Sequence, residues 1–80
     1  MQNNEISFKV AKLIAEQLEK SEKEISLDCS FDQLGADSLD QIEILMRTEE
    51  LFNIFITDQE AVKIRCANDL VNCVHEQVSK

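Results

Sequence analysis

Ser38 stands between two carboxylates in the run Leu34-Gly35-Ala36-Asp37-Ser38-Leu39-Asp40. A serine hydroxyl does chemistry either as a nucleophile freed by a neighbouring base or as an oxygen that another catalyst esterifies. The first role needs an imidazole within hydrogen-bond reach and donors for an oxyanion. The chain has one histidine, His75, on a different predicted helix near the far end, and no Gly-x-Ser-x-Gly elbow. Ser38 is thus beside acids rather than beside a base, which argues against a serine hydrolase. Gly35 frees the backbone for a tight turn or a close approach. Asp37 is placed to cap the N–H groups of a helix that begins at Ser38, and Asp40 sits well against its positive end. The hydroxyl is held at a helix start and the mouth of a loop, where something can be attached. A chemically silent alternative also stands, since serine and aspartate are ordinary caps: an unmodified acidic helical adaptor.

The run, with the acidic and apolar helix after it, resembles the acyl carrier proteins, whose hallmark is Gly-x-Asp-Ser-Leu. The resemblance extends to Val10–Leu18, Phe31–Leu45 and Glu49–Ile56, so it covers most of the chain. It implies that Ser38 carries covalent 4′-phosphopantetheine, donated by coenzyme A through a separate phosphopantetheinyl transferase. The arm's thiol then holds acyl chains as thioesters, and the carrier itself catalyses nothing. A phosphodiester on Ser38 suits a helix N-terminus, where free N–H groups and the dipole favour negative charge. Asp37, Leu39 and Asp40 are expected to shape the attachment site. Ile42, Glu43, Met46, Glu49 and Glu50 are expected to present a docking surface to enzymes with basic patches. The resemblance favours a free-standing carrier of bacterial-type fatty acid synthesis, with polyketide or specialised acyl carriers as alternatives. The chain departs from the family pattern at Arg47, Thr48, Phe55, Thr57 and Val62, which puts partner preference and the breadth of the acidic surface in doubt.

Composition bounds the same reading. Eighty residues make one expected domain, 1–80, with room for a modest core and hardly for a deep catalytic pocket. A net charge of −8 repels nucleic acid phosphates and anionic lipid surfaces and favours basic partners. It also repels itself within the fold. Three cysteines, Cys29, Cys66 and Cys73, form no Cys-x-x-Cys pair, and no apolar run resembles a signal peptide or spans a bilayer. A monomeric protein of the cytoplasm, or of an organelle derived from a bacterium, with reduced thiols is expected. Cys73 and His75 lack further soft ligands for zinc, and Asp28, Asp32 and Asp37 lack the alternating acids of a calcium loop.

The elements that must position Ser38 read as an all-α bundle of three longer helices and one short one, with a long connection between the first two. Ile6, Val10, Leu13, Ile14 and Leu18 recur at steps of three and four, predicting a one-sided helix from about Asn4 to Lys20, capped by Asn3 or Asn4. The connection from Ser21 to Gly35 is read as ordered, with Phe31 and Leu34 pinning it and fixing where Ser38 points. In the second helix, Ser38 to about Asn53, the expected core face is Ile44, Leu45, Thr48, Leu51 and Phe52. Leu39, Ile42 and Met46 form an opposite apolar stripe edged by Glu43, Glu49 and Glu50, as a surface covered by a partner would. Thr57-Asp58-Gln59-Glu60 reads as a capping box opening a short helix through about Ile64, with Ile56, Ala61 and Ile64 inside. The last helix, from Ala67 or Asn68 to Val78, carries Leu70, Val71, Val74 and Val78 at helical spacing, with Asn68 its expected cap. His75 is expected at the surface.

Overall fold

The computed structural model describes residues 3–78. Its order is α1 (Asn3–Leu18), α2 (Ser38–Phe52), α3 (Asp58–Ala61) and α4 (Ala67–Val78), with a single 3₁₀ turn, Glu22–Glu24, in the connection after α1. The expected cap at Asn3 or Asn4 falls at the edge of the described residues. α1 packs on α2 and α4, burying Ile6, Val10, Leu13 and Ile14 against Ile44, Phe52, Leu70, Val71 and Val74. These aliphatic side chains sit at helical spacing, so one stripe from each helix is removed from water and the polar faces remain outside.

The helix ends explain the short overruns in the sequence reading. α1 stops at Leu18 rather than Lys20 because Glu19 takes a left-handed φ of 56°. Lys20 N–H then donates to Ala15 O at 2.9 Å, the six-to-one bond of a Schellman turn. α2 ends the same way at Asn53, φ 54°, with Ile54 N–H donating to Glu49 O at 3.1 Å. Asparagine tolerates that region better than most residues. α3 ends at Ala61, short of Ile64, and the chain continues to Ile64 in tighter turns through Lys63 N–H to Glu60 O and Ile64 N–H to Ala61 O. Ile56 and Ile64 are buried as expected, while Ala61 is only half-buried.

Two further expectations are corrected. Leu51 is 52% exposed, not core: α2 is covered along Ile44, Thr48 and Phe52, and Leu51 lies beyond that stripe. Asn68 does not cap α4; its side-chain amide donates to Asp28 Oδ1, and Asp69 Oδ2 accepts from Arg65 N–H at 3.0 Å instead. Thr48, a departure from the family pattern, is wholly buried, and its hydroxyl donates to Ile44 O at 2.8 Å. A back-bond to the preceding turn satisfies the hydroxyl without a partner from another helix.

The connection is ordered by sequence-distant bonds. Phe31 and Leu34 are buried in the core, and Phe31 N–H donates to Arg65 O at 3.1 Å. Asn68 N–H donates to Leu27 O at 3.0 Å. The segment is therefore tied to Arg65, ahead of α4, and to the first turn of α4 itself.

Candidate functional site

Gly35 has φ +89°, and a Cβ built there meets nothing within 4 Å. The glycine is needed for the backbone angle rather than for space, because L side chains rarely adopt that region. It releases the chain into Ala36, which is buried, and then into Asp37, the N-cap of α2. Asp37 Oδ1 accepts from Asp40 N–H at 2.8 Å, and Asp40 Oδ2 accepts from Asp37 N–H at 3.2 Å. This is a reciprocal capping box in which an aspartate takes the usual glutamate position.

Ser38 is the first residue of α2 and is exposed. Among the described residues, no hydrogen bond engages its Oγ, and the N–H groups of Ser38 and Leu39 have no acceptor. The hydroxyl is free to react, and a phosphate bonded to it would meet unpaired donors at the positive end of a fifteen-residue helix. Nothing is hydrogen-bonded to Ser38 that could take its proton, and His75 lies on α4. His75 is half-buried rather than at the surface, and its Nδ1 is buried without a hydrogen-bond partner among the described residues.

The acids beside Ser38 are tied to α1 by a residue that the sequence reading did not single out. Gln17 Nε2 donates to Asp40 Oδ1 at 3.3 Å and to Glu43 Oε2 at 2.5 Å. Its Oε1 is buried and unpaired, since turning the amide over would aim an oxygen at two carboxylates. Glu49 is engaged too: its Oε2 accepts from Ile56 N–H at 2.8 Å, anchoring the loop after α2. Glu50 is exposed, and so are Leu39, Ile42 and Met46 at 62%, 55% and 54%. The structure thus places Ser38, Asp37, Leu39 and Asp40 at one helix end, with Ile42, Glu43, Met46, Glu49 and Glu50 along the same helix.

Beside that end a cleft of about 580 Å³ opens between the connection, α2 and α3, lined by Phe31, Gln41, Ala61, Val62, Ile64 and Arg65 among others. Gln41 reaches across it, donating to Asp32 Oδ1 and Ala36 O at 3.4 Å each. On α4, Cys73 Sγ donates to Glu60 Oε2 at 3.6 Å, and burial together with the Glu60 charge pushes the thiol above its ordinary value. It is a partly buried filler rather than a ready thiolate.

Comparison with known proteins agrees with this geometry. Residues 9–74 match the family described as "Phosphopantetheine attachment site", which places the bundle among the domains that bear that arm. The chain is also 42% identical to the acyl carrier protein of Exiguobacterium sibiricum over 79 residues, 98% of this chain and 100% of that protein. The chain belongs to the acyl carrier protein family. Its cofactor is 4′-phosphopantetheine, and the protein is an acyl carrier.

Proposed function

We propose that Ser38 is the attachment point of 4′-phosphopantetheine and that the chain, as one carrier domain, serves fatty acid biosynthesis. The observation that carries this reading is an exposed, unbonded serine hydroxyl at the start of α2, fixed by the Asp37–Asp40 box, inside the span matched to the family. Ser38 Oγ supplies the oxygen that bonds to the phosphate donated by coenzyme A. A transferase must take the hydroxyl proton, because no base in this chain is bonded to it. When bound, the arm supplies a thiol on which acyl groups ride as thioesters. The chain's own residues hold the attachment oxygen outward and present Leu39, Ile42 and Met46 between Asp40, Glu43 and Glu50.

That surface suits enzymes with a basic rim around an apolar patch. Exposed charge pairs are weak and salt-screened, so successive enzymes can bind and release. Glu49 contributes less, because one of its oxygens is already committed to Ile56. Incubation with coenzyme A and a phosphopantetheinyl transferase should add one phosphopantetheine by intact-mass spectrometry. Ser38→Ala should abolish the gain, and Glu43→Lys should slow it at low salt with helicity intact. Modification persisting in Ser38→Ala would overturn the assignment.

A further inference from the structure

The side of the molecule formed by α1 and α2 has a character opposite to the acidic end. There the two helices leave a groove of about 440 Å³ lined by Phe8, Lys9, Lys12, Leu13, Arg47 and Leu51. Phe8 is 61% exposed and Leu51 52%, while Leu13 forms part of the core beneath. Three of the chain's eight Lys and Arg gather here against one carboxylate, Glu16. Among the described residues, no carboxylate lies within ion-pairing reach of Lys9, Lys12 or Arg47. Unpaired cations beside exposed apolar side chains, on a chain of net charge −8, are not explained by the docking of α2's acids.

We propose that this groove binds a soluble anionic amphiphile, an unbranched alkyl chain with a carboxylate or phosphate head. The alkyl chain lies on Phe8, Leu13 and Leu51, and the head is held among Lys9, Lys12 and Arg47. Small-molecule sites are clefts of roughly 300 to 1,000 Å³, mostly apolar with a few placed polar groups, and the groove fits that description. A neutral apolar molecule would leave the cations unused. A nucleic acid or an anionic bilayer would be repelled by the remaining acidic surface. Arg47 lies nine residues beyond Ser38 on α2, about 13 Å along the axis, so the site is separate from the attachment end. The inference does not depend on Ser38 being modified.

The test uses the full ¹⁵N-labelled chain carrying Ser38→Ala, so that no arm is present. Sodium decanoate, decyl phosphate and decyltrimethylammonium are titrated below their micelle-forming concentrations. Saturable amide shifts centred on residues 8–13 and 47–51 are expected with decanoate, decyl phosphate or both, which also identifies the preferred head. The cationic probe should give none. Lys12→Glu with Arg47→Glu should weaken binding about tenfold, since two attractive exposed charges become repulsive. If that pair disturbs the spectrum, Lys12→Gln with Arg47→Gln should still weaken it. Equal binding of the cationic probe, unchanged affinity in both charge variants, or shifts centred instead on Ile44, Leu70 and Val74 would overturn the proposal. So would a groove that responds only to an acidic amphipathic peptide.

Discussion

Gly35 is the single glycine of the chain, and its value lies in one angle. With no atom near the position a Cβ would take, Gly35→Ala should be destabilising through backbone strain alone, by about 1 to 2 kcal/mol. Urea unfolding followed by circular dichroism measures this, and an unchanged midpoint would show that the φ of +89° is not required. Thr48 shows the opposite kind of tolerance. A hydroxyl in a wholly buried position is costly unless satisfied, and its own helix satisfies it through Ile44 O. That bond leaves the oxygen turned toward its own helix backbone rather than into the core.

Between elements, Gln17 is the residue of most consequence, because it couples α1 to the acids at the start of α2. Gln17→Leu removes two donors to carboxylates and also removes an orphaned buried oxygen, so stability should change by no more than about 1 kcal/mol. If enzymes dock on Asp40 and Glu43 as proposed, each must then order the freed side chains. Ordering a mobile side chain costs about 0.5 to 1.5 kcal/mol, so KM for the transferase reaction should rise about threefold with kcat unchanged. An equal fall in kcat would point to damage at the attachment end instead. Much of this level is legible in the sequence: apolar spacing marks the three longer helices, the Thr57–Glu60 capping box marks the short one, and Phe31 and Leu34 pin the connection as the sequence suggests. Gln17 was not legible, because its partners are 23 and 26 residues away and a single amide carries no period. Leu51 was misassigned because a helical wheel shows where apolar residues point, whereas the width of the covered stripe is set by how α1 lies across α2. Asn68 was misassigned because Asp28, forty positions earlier in the chain, draws its amide away from the helix start.

For the molecule as a whole, sixteen carboxylate side chains against eight cations make self-repulsion a property of the folded state. Like charges closer than a Debye length, about 8 Å at physiological salt, repel with little screening, and added salt shortens that length to about 3 Å at 1 M. The melting temperature should therefore rise on adding sodium chloride, and more steeply with magnesium chloride, in differential scanning calorimetry; a flat response would remove self-repulsion from the account. The described residues contain no helix long and apolar enough to cross a membrane.

The bonds from Phe31 to Arg65 and from Asn68 to Leu27 have a consequence for how the chain breathes. They fasten the non-helical stretch ahead of Ser38 to Arg65 and to the first turn of α4, so neither can lift without the other. On transfer into heavy water, the Phe31 and Asn68 amides should keep their protons far longer than those of the exposed Glu22–Glu24 turn, approaching the lifetimes of mid-helix amides such as Ile14. The platform beneath Ser38 is thus held still by two clasps, one to the loop ahead of α4 and one to its first turn, and a group attached to the hydroxyl, as proposed, would supply the motion.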